Sequence, residues 1–364
     1  MSNPRKAGRR ADRARKTRYT AAELETETFP EPRWAVPGLI SEGLTLLAGA
    51  PKVGKSWLAL DVALAVASGG KAFGSIDVDE GDALYLALED TPRRLQRRLR
   101  KIKAGDALPS RLTIETSSPP LSEGGENLVR DWLDEAEEPR LVVVDVFEKV
   151  RGKRSGGDAY ASDYAAMAVL KDLSDEYEVA VVVVHHTRKM TSDDWVELVA
   201  GTNGVTGAAD SIAVLQRPNR DAPDGTLSIT GRDIEEADTK AVALDDRMVW
   251  KISDSDPSRV GMHRTRAAIL DALEAARDAS EEERTYLTPA AIAKEIEGAN
   301  PDNVKKTCQR MASDEQVGTD GKGGYYAFPR LVHLDECTAV DPREADPFYE
   351  YEPEEVPIEA YASP

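Results

Sequence analysis

The chain has 364 residues and a formal net charge of −19, with 41% hydrophobic and 31% charged residues. This length allows one large and one small domain, each with its own core. The two cysteines, Cys308 and Cys337, lack the spacing of metal ligands and exclude a disulfide framework, which favours a reducing cytoplasm. The longest apolar runs are far shorter than a membrane span, and the basic N-terminus lacks the apolar segment of a signal peptide. We therefore expect a cytoplasmic protein.

Residues 1–32 are predicted to form a basic, disordered arm. Residues 1–18 carry eight basic side chains and one acid, Asp12, which gives a net charge of +7. Such an arm is either a solvated tail that aids solubility or a segment that contacts nucleic-acid phosphates.

A phosphate-binding loop is predicted within LLAGAPKVGKSWLALDVALA. Gly49, four residues, Gly54, Lys55 and Ser56 match the P-loop pattern. LTLLAG before the loop is typical of a short buried strand, and the apolar run after it is typical of a helix that a glycine pair ends. Main-chain N–H groups at such a helix start surround a polyphosphate, Lys55 reaches its outer phosphates, and the Ser56 hydroxyl ligates Mg²⁺. The predicted nucleotide-binding residues are Gly49, Ala50, Pro51, Lys52, Val53, Gly54, Lys55, Ser56 and Trp57.

Strands alternate with helices between residues 33 and 252, which predicts an α/β domain. Continuous Val and Leu runs indicate burial on both faces of a mainly parallel sheet. After Pro218 two strands follow without room for a helix between them, which predicts an antiparallel extension at one edge. The predicted strands are 44–49, 82–89, 111–116, 141–146, 179–186 and 210–217, followed by TLSITGRD (226–233) and AVALDDRMVW (241–250).

Two acids end predicted strands at the edge where open α/β sheets bind ligands. Asp145 ends LVVVD, about ninety residues after the P-loop, and fits the Walker B acid that holds the Mg²⁺ hydration shell. Glu89 ends YLALE, where an acid can orient or deprotonate the attacking water. The alternative for each is a strand-end turn residue, and Asp90 is predicted to cap the helix that begins at Pro92.

Two segments that follow these acids are rich in basic residues. The helix PRRLQRRLRKIKA has Leu95, Leu99 and Ile102 on its buried face and seven basic residues between Arg93 and Lys103. We expect its basic face to be solvated, with a subunit or DNA contact as the alternative. The segment KVRGKRSGGDAY combines four basic residues with three glycines directly after the second acid.

A smaller second domain is predicted from residue 258 to residue 330. Its helices are RTRAAILDALEAAR, then TPAAIAKEIEG with Thr288 as cap, then NPDNVKKTCQRMASDE from Asn300. QVGTDGKGGYYAF after them predicts a two-stranded wing. This order is typical of a winged helix-turn-helix, whose third helix contacts DNA, although such domains also bind proteins. The candidate DNA-binding residues of this helix are Lys305, Lys306 and Arg310.

Residues 331–364 carry ten acids and one basic residue, Arg343, and are predicted to form an acidic, disordered tail. Such a tail aids solubility, competes for a nucleic-acid surface or recruits a partner.

Several sequence blocks resemble, in order, the RepA-like branch of the RecA-fold ATPases, which is close to hexameric replicative DNA helicases of plasmids and phages. The blocks are WAVPGLISEGLTLLAGAPKVGKSWLALDVALAVASGG, LYLALEDTPRRLQRRL, LVVVDVFEKVR, VVVVHHTRK, GVTGAADSIAVLQR and GRD. The P-loop interior APKV is poorer in glycine than that of many relatives. The resemblance implies a RecA-like P-loop NTPase core, ATP and Mg²⁺ as cofactors, DNA as partner, and a homo-oligomer, most simply a hexamer. It also implies residence in the bacterial cytoplasm or a phage-infected host cell.

The resemblance further implies roles for particular residues. Glu89 would be the catalytic glutamate, and Asp145 the Walker B acid that acts with Lys55. His186 would be the sensor that reports the terminal phosphate to the DNA-binding loops. Arg232 of GRD would be the arginine finger that reaches the ATP of a neighbouring subunit.

Two of these assignments have alternatives. Adjacent strand residues face opposite ways, so only one of His185 and His186 can face the nucleotide, and we favour His186. Arg232 alternatively forms a surface ion pair with a neighbouring acid, and Arg217 is the second candidate for the finger.

In RecA-like rings, loops that follow the Walker B acid and the sensor line a channel for single-stranded DNA. Here these loops correspond to residues 149–160 and 187–204. The candidate DNA-binding residues of the first loop are Lys149, Arg151, Lys153 and Arg154.

The sequence thus predicts an ATP-dependent DNA motor, most simply a hexameric replicative helicase that translocates on single-stranded DNA. The first alternative is a RecA-like ATPase that serves as a recombination or loading factor without unwinding DNA. The second is a small-molecule kinase, which is disfavoured because no separate lid segment or acceptor site is found.

Overall fold

The computed structural model describes residues 18–152, 159–187, 203–218, 222–262, 264–280, 284–296 and 299–328. The chain divides into two compact units, and the boundary falls between Gly261 and Met262. Predicted residues Lys153 and Arg154, the arm up to residue 17 and the acidic tail lie outside the described residues.

Helices and strands alternate along the first unit, and helices precede a hairpin in the second. The strands are β1 Trp34–Val36, β2 Ile40–Ser41, β3 Gly43–Gly49, β4 Lys71–Ala72, β5 Ile76–Asp77, β6 Asp82–Ala87, β7 Leu112–Glu115, β8 Pro139–Asp145, β9 Ala180–His186, β10 Ser211–Gln216, β11 Asp224–Gly231, β12 Ile234–Leu244, β13 Trp250–Ile252, β14 Gly318–Thr319 and β15 Tyr325–Tyr326. The helices are α1 Ala21–Thr26, α2 Lys55–Ser68, α3 Pro92–Lys103, α4 Gly125–Glu135, α5 Phe147–Val150, α6 Ala159–Tyr177, α7 Asn203–Thr206, α8 Arg264–Asp278, α9 Pro289–Glu295 and α10 Pro301–Ser313.

Among the described residues, the main sheet has nine strands in the order β13-β12-β11-β10-β3-β9-β8-β6-β7. The six strands from β10 to β7 are parallel, and β11 to β13 continue the sheet in antiparallel pairs. The predicted α/β class, the mainly parallel sheet and the antiparallel extension are therefore confirmed. The P-loop strand β3 lies inside the sheet, between β9 and β10.

Hydrophobic clusters cover both faces of this sheet, as the continuous apolar runs predict. One cluster packs α2 and α3 against one face, and the other packs α4 and α6 against the opposite face. Alternate residues of β3 belong to opposite clusters: Leu46 faces the second and Leu47 the first. The central strands therefore hold the residues at their ends in fixed positions.

The prediction of one strand for AVALDDRMVW was wrong. A turn at Asp245 separates β12 from β13, because the Asp245 carboxylate accepts hydrogen bonds from the N–H groups of Arg247 and Val249, both at 2.9 Å. Met248 in this turn has a φ of 67°, a left-handed conformation that ends regular pairing. The turn reverses the chain and brings Trp250 back toward the sheet as the first residue of β13.

The second unit contains three helices and a short hairpin, in the predicted order. Thr288 accepts a hydrogen bond from the N–H of Ala291 and caps α9, and Asn300 caps α10 in the same way through Asp302. The core packs α8, α9 and α10 against the hairpin of β14 and β15. The assignment of this unit as a winged helix-turn-helix remains a prediction.

In the part of the chain that the structure describes, no helix combines the length and the apolar character needed to cross a membrane.

Candidate nucleotide-binding site

The predicted site residues meet at the carboxyl edge of the parallel strands. Gly49 at the end of β3 pairs with His186 at the end of β9, and Asp145 at the end of β8 pairs with Ala87 at the end of β6. Glu89 follows two residues after β6. Three neighbouring strands and the P-loop therefore bring one lysine, two acids and a histidine to one edge of the sheet.

The P-loop presents unpaired main-chain N–H groups. Residues 52–56 donate no main-chain hydrogen bond to any described residue. Gly54, the N-cap residue of helix α2, has a φ of 111°, a left-handed conformation that only glycine adopts readily. A Cβ at Gly49 would lie 2.4 Å from the carbonyl oxygen of Leu215, so the close approach of β10 also requires glycine there. Free N–H groups at a helix N-terminus form a site for anions, which fits a polyphosphate.

Lys55 is buried at the centre of this site. Its ammonium donates to the carbonyl oxygens of Gly49 at 2.6 Å and Ala50 at 3.0 Å, and its Nζ lies 3.0 Å from Nδ1 of His186. Burial lowers the pKa of Lys55 to about 8, although the negative charges of Asp145 and two glutamates act to raise it. An anion at the P-loop would restore the charge balance of this buried ammonium.

Asp145 is buried beside Ser56. Its Oδ2 accepts a hydrogen bond from the Tyr85 hydroxyl at 2.7 Å, and the same hydroxyl lies 3.3 Å from the carbonyl oxygen of Ser56. Oδ1 of Asp145 is buried and accepts no well-aligned hydrogen bond from the described residues. Burial raises the pKa of Asp145, while Tyr85 and Ser56 act in the opposite direction. A free buried carboxylate oxygen near a P-loop serine fits a divalent cation with oxygen ligands.

The two histidines face opposite sides of β9, as expected from strand geometry. His186 contacts Lys55, whereas Nδ1 of His185 lies 3.0 Å from Oε1 of Glu148 on the other side. Burial and the charge of Lys55 lower the pKa of His186, so its ring is neutral at pH 7 and Nδ1 can accept a hydrogen bond from the ammonium. The geometry thus brings His186, and not His185, to the P-loop.

Glu89 lies in an exposed turn that two arginines hold. The Arg94 guanidinium donates to the main-chain carbonyl of Glu89 at 2.6 Å and to the Asp90 carboxylate at 2.8 Å. Arg98 forms a second ion pair with Asp90. The prediction that Asp90 caps α3 was wrong, because Thr91 accepts the capping hydrogen bond from Arg94. Asp90 instead fixes the turn that carries Glu89.

Two tryptophans lie at the N-terminal end of helix α2, next to the P-loop. Trp57, the last of the predicted nucleotide-binding residues, is half-buried. The Arg98 guanidinium carbon lies over its indole ring, 5.1 Å from the ring centre. Trp250 is almost fully buried and its Nε1–H donates to the carbonyl oxygen of Gly54 at 3.3 Å. The Arg217 guanidinium lies 5.6 Å from the Trp250 ring centre, so Arg217 is at the same edge as the P-loop.

Sequence reasoning missed Tyr85, Trp250 and Glu148. Tyr85 and Trp250 occupy apolar positions of strands and therefore fit a core pattern, with no local signal for their hydrogen bonds. Glu148 follows Asp145 by three residues, and its contact with His185 was not evident from a segment that is rich in basic residues.

Arg232 lies at the amino ends of the parallel strands, opposite the carboxyl ends that carry the P-loop. Its N–H donates to the carbonyl oxygen of Asp210 at 3.1 Å, next to Ser211, which pairs with Thr45 near the start of β3. The guanidinium forms an ion pair with Asp210 at 3.0 Å, and the side chain is 68% exposed. Thr45 and Gly49 are four strand residues, or about 13 Å, apart. Arg232 therefore cannot act on the P-loop of its own chain.

The candidate DNA-binding residues differ in their availability. Lys149 is exposed, whereas Arg151 forms an ion pair with Asp163 at 2.8 Å and is largely buried. The exposed residues of α10 include Lys305, Lys306 and Arg310, opposite the buried residues Val304, Cys308 and Met311.

Solved structures with similarity to the chain include an ATPase domain, a replicative helicase and a recombinase. The ATPase domain is 14% identical, with a TM-score of 0.48, and the match covers 58% of this chain and 85% of that chain. A DnaB-like replicative helicase, solved for its interactions with primase, is 14% identical with a TM-score of 0.46, and the match covers 58% of this chain and 57% of that chain. The RadB recombinase is 19% identical with a TM-score of 0.42, and the match covers 61% and 92% of the two chains.

Sequence comparison identifies the family of the chain. No curated protein matches it significantly. Residues 10–192, just over half of the 364 residues, match the family model AAA_25, described as an AAA domain. The matched range contains the P-loop, Glu89, Asp145 and His186. The chain therefore belongs to the AAA domain family AAA_25, and its P-loop site is that of an ATPase.

Proposed function

We propose that this chain is a RecA-fold, ATP-dependent DNA motor of the RepA-like branch. It assembles into a ring, most simply a hexamer, and translocates on single-stranded DNA as a replicative helicase. The observation that carries the proposal is the contact between Lys55 and His186. It links the phosphate-binding loop directly to β9, the strand that precedes the second candidate DNA-binding loop at residues 187–204.

ATP and Mg²⁺ fit the residues of this site. The unpaired N–H groups of residues 52–56 and the buried ammonium of Lys55 suit the phosphates, and Asp145 with Ser56 suits the cation. Asp145 and Ser56 would hold Mg²⁺, which would neutralise negative charge on the phosphates. Tyr85 holds the Asp145 carboxylate in place through its hydroxyl.

The side chains of the chain then have separate tasks. Lys55 turns from its carbonyl partners toward the phosphates and loses its contact with His186. Glu89 accepts the proton of the attacking water, because its exposed turn is open to solvent at the edge where Lys55 lies. His186 responds to the position of Lys55 and transmits it along β9.

Exposed lysines and arginines in both units support DNA as the partner. Lys149 follows the Walker B strand β8 on the surface. In the second unit the order of three helices and a hairpin supports a winged helix-turn-helix, with Lys305, Lys306 and Arg310 exposed on its third helix. We propose single-stranded DNA for the ring channel and duplex DNA for the second unit.

Two assays on the purified protein test the proposal. ATP hydrolysis should increase on addition of single-stranded DNA, and a forked duplex should be separated in the presence of ATP. DNA-stimulated hydrolysis without strand displacement would favour the recombination or loading factor. Hydrolysis that does not respond to DNA, with phosphate transferred to a small molecule, would contradict a DNA motor.

Glu89→Gln should retain ATP binding and lose hydrolysis by a factor of about 10² to 10⁴. The amide keeps the shape of the side chain but cannot accept the proton of water. A fluorescent ATP analogue measures binding, and phosphate release measures turnover. Glu115→Gln, at the end of the neighbouring strand β7, is the matched control and should keep wild-type turnover. Near wild-type turnover in Glu89→Gln would assign the base to another group.

Asp90→Asn should lower kcat by about tenfold with little change in KM, because a displaced catalytic group costs rate more than binding. The amide weakens the ion pairs with Arg94 and Arg98 that hold the Glu89 turn. Asp90→Glu keeps the charge and should recover part of the rate. An equal rise in KM for both variants, with kcat unchanged, would contradict the positioning role.

A further inference from the structure

Helix α3 carries a row of exposed cations that the proposed mechanism does not use. Arg93, Arg97, Arg100 and Lys101 follow the spacing i, i+4, i+7 and i+8, which places them on one side of the helix. All four are exposed, and the buried residues Leu95, Leu99 and Ile102 occupy the opposite side. We call these four residues the cationic face of α3.

The cationic face has no counter-charge within the part of the chain that the structure describes. Arg94 and Arg98 on the same helix both pair with Asp90, whereas no ion pair or side-chain hydrogen bond to the described residues involves any of the four. Helix α3 contains no acid, although the chain has 66 acidic residues. Like charges at i and i+4 destabilise a helix. The row therefore repels itself in the isolated chain, and a bound polyanion would relieve that repulsion.

We propose that the cationic face of α3 binds the phosphate backbone of nucleic acid, as a contact separate from the candidate loop at residues 149–160 and from the second unit. This inference rests on the proposed DNA-dependent function. The row from Arg93 to Lys101 extends about 12 Å along the helix. Three of its four members are arginines, whose forked guanidinium groups suit phosphate oxygens.

A nucleic acid suits this face better than a neighbouring subunit does. Protein interfaces have apolar and aromatic residues at their centre and few charges there. Helix α3 offers no large apolar side chain on this side, because its leucines and isoleucine, Leu95, Leu99 and Ile102, are buried. A polyanion gains affinity from such a surface by releasing counterions and needs no apolar centre.

The position of α3 connects this contact to hydrolysis. Arg93 precedes Arg94, whose guanidinium holds the main-chain carbonyl of Glu89. Nucleic acid on the cationic face therefore lies within one helical turn of the group that fixes the Glu89 turn. We expect the concentration of DNA that gives half-maximal stimulation of hydrolysis to depend on this face.

The test is the salt dependence of oligonucleotide binding in the full chain. In one variant the face is neutralised by Arg93→Gln, Arg97→Gln, Arg100→Gln and Lys101→Gln, since glutamine keeps helix propensity. Fluorescence anisotropy with labelled single-stranded DNA gives Kd at several salt concentrations. The slope of log Kd against log salt should fall by about 2 to 3, since each phosphate contact on a single strand contributes about 0.7.

A charge-conserving variant is the matched control. Arg93→Lys, Arg97→Lys and Arg100→Lys should keep the wild-type slope, and thermal unfolding should show both variants folded. An unchanged slope in the neutralised variant would overturn the inference while the DNA-binding function stands. A change in subunit assembly by sedimentation velocity, without a change in slope, would assign the face to a neighbouring subunit and also overturn it. A wild-type protein that binds no DNA would instead refute the proposed function and this contact together.

Discussion

Lys55→Met should lower ATP hydrolysis at least about a hundredfold, because it removes the cation that stabilises charge on the phosphates. The same change should leave the stability of the nucleotide-free protein equal or higher. Lys55 is buried and its pKa is lowered to about 8 by burial, so at pH 7 the folded chain holds a poorly solvated charge. Methionine fills nearly the same volume without that charge. Phosphate release and thermal unfolding, measured on the same sample, check both parts.

The pH dependence of stability gives an independent readout of Lys55. The pKa of a lysine in the unfolded chain is 10.5, whereas burial lowers the pKa of the folded Lys55 to about 8. Between these two values the unfolded chain holds a proton that the folded chain has released, so the contribution of Lys55 to stability rises with pH. This rise between about pH 8 and 10.5 should be missing in Lys55→Met.

An exposed lysine provides the control for both measurements. Lys71 lies in the same unit, 54% exposed and paired with Asp77 at 2.8 Å. Lys71→Met should keep hydrolysis and the pH dependence of stability. Wild-type hydrolysis in Lys55→Met would remove the P-loop assignment, whatever its stability.

The sequence predicts the parallel part of the sheet well because those strands are encoded locally. Runs such as 141–146 and 180–186 are continuous in Val and bounded by polar residues, and the structure places β8 and β9 there with almost complete burial. Asp145 and His186 come at the ends of these runs, so parallel pairing is enough to bring them to one edge. The caps of α9 and α10 are likewise local and were predicted.

Features that depend on contacts between distant residues were not predictable. The Tyr85 hydroxyl reaches Asp145 sixty residues away, and the Trp250 indole reaches Gly54 after 196 residues. Both side chains are apolar enough for a core position, so no pattern separates packing from a hydrogen bond. The turn at Asp245 was missed for a related reason, since a short apolar run on either side of two acids fits one strand as well as two.

The order of the sheet also changes how the candidate fingers are interpreted. The sequence places Arg217 and Arg232 fifteen residues apart, but β11 carries the chain from one edge of the sheet to the other. Arg217 ends at the P-loop edge against Trp250, and Arg232 ends at the far edge with Asp210. Only a neighbouring subunit can bring Arg232 to a nucleotide.

Arg232→Ala should therefore retain ATP binding and lose hydrolysis by a factor of about 10³ to 10⁵, the usual effect of an arginine finger. Mixed with Lys55→Ala, it should regain activity at interfaces where an intact P-loop meets an intact Arg232. In a ring of randomly mixed subunits at equal amounts, about one quarter of the head-to-tail interfaces are complete. ATP hydrolysis with single-stranded DNA, followed across mixing ratios at fixed total protein, should peak near equal amounts.

A parallel mixture of Arg217→Ala with Lys55→Ala separates the two arginines. If Arg232 is the finger, Arg217→Ala alone should keep most of its hydrolysis, because its guanidinium packs on Trp250 of its own chain. If Arg217→Ala instead loses hydrolysis and is restored by Lys55→Ala, while Arg232→Ala stays active, the finger is Arg217. Subunit exchange is shown beforehand with two fluorescent labels. When subunits exchange and neither mixture exceeds the sum of its separate components at any ratio, neither Arg217 nor Arg232 acts between subunits. The ring then loses the support that a finger supplied by a neighbouring subunit gives it, because neither candidate arginine would join two chains at one ATP.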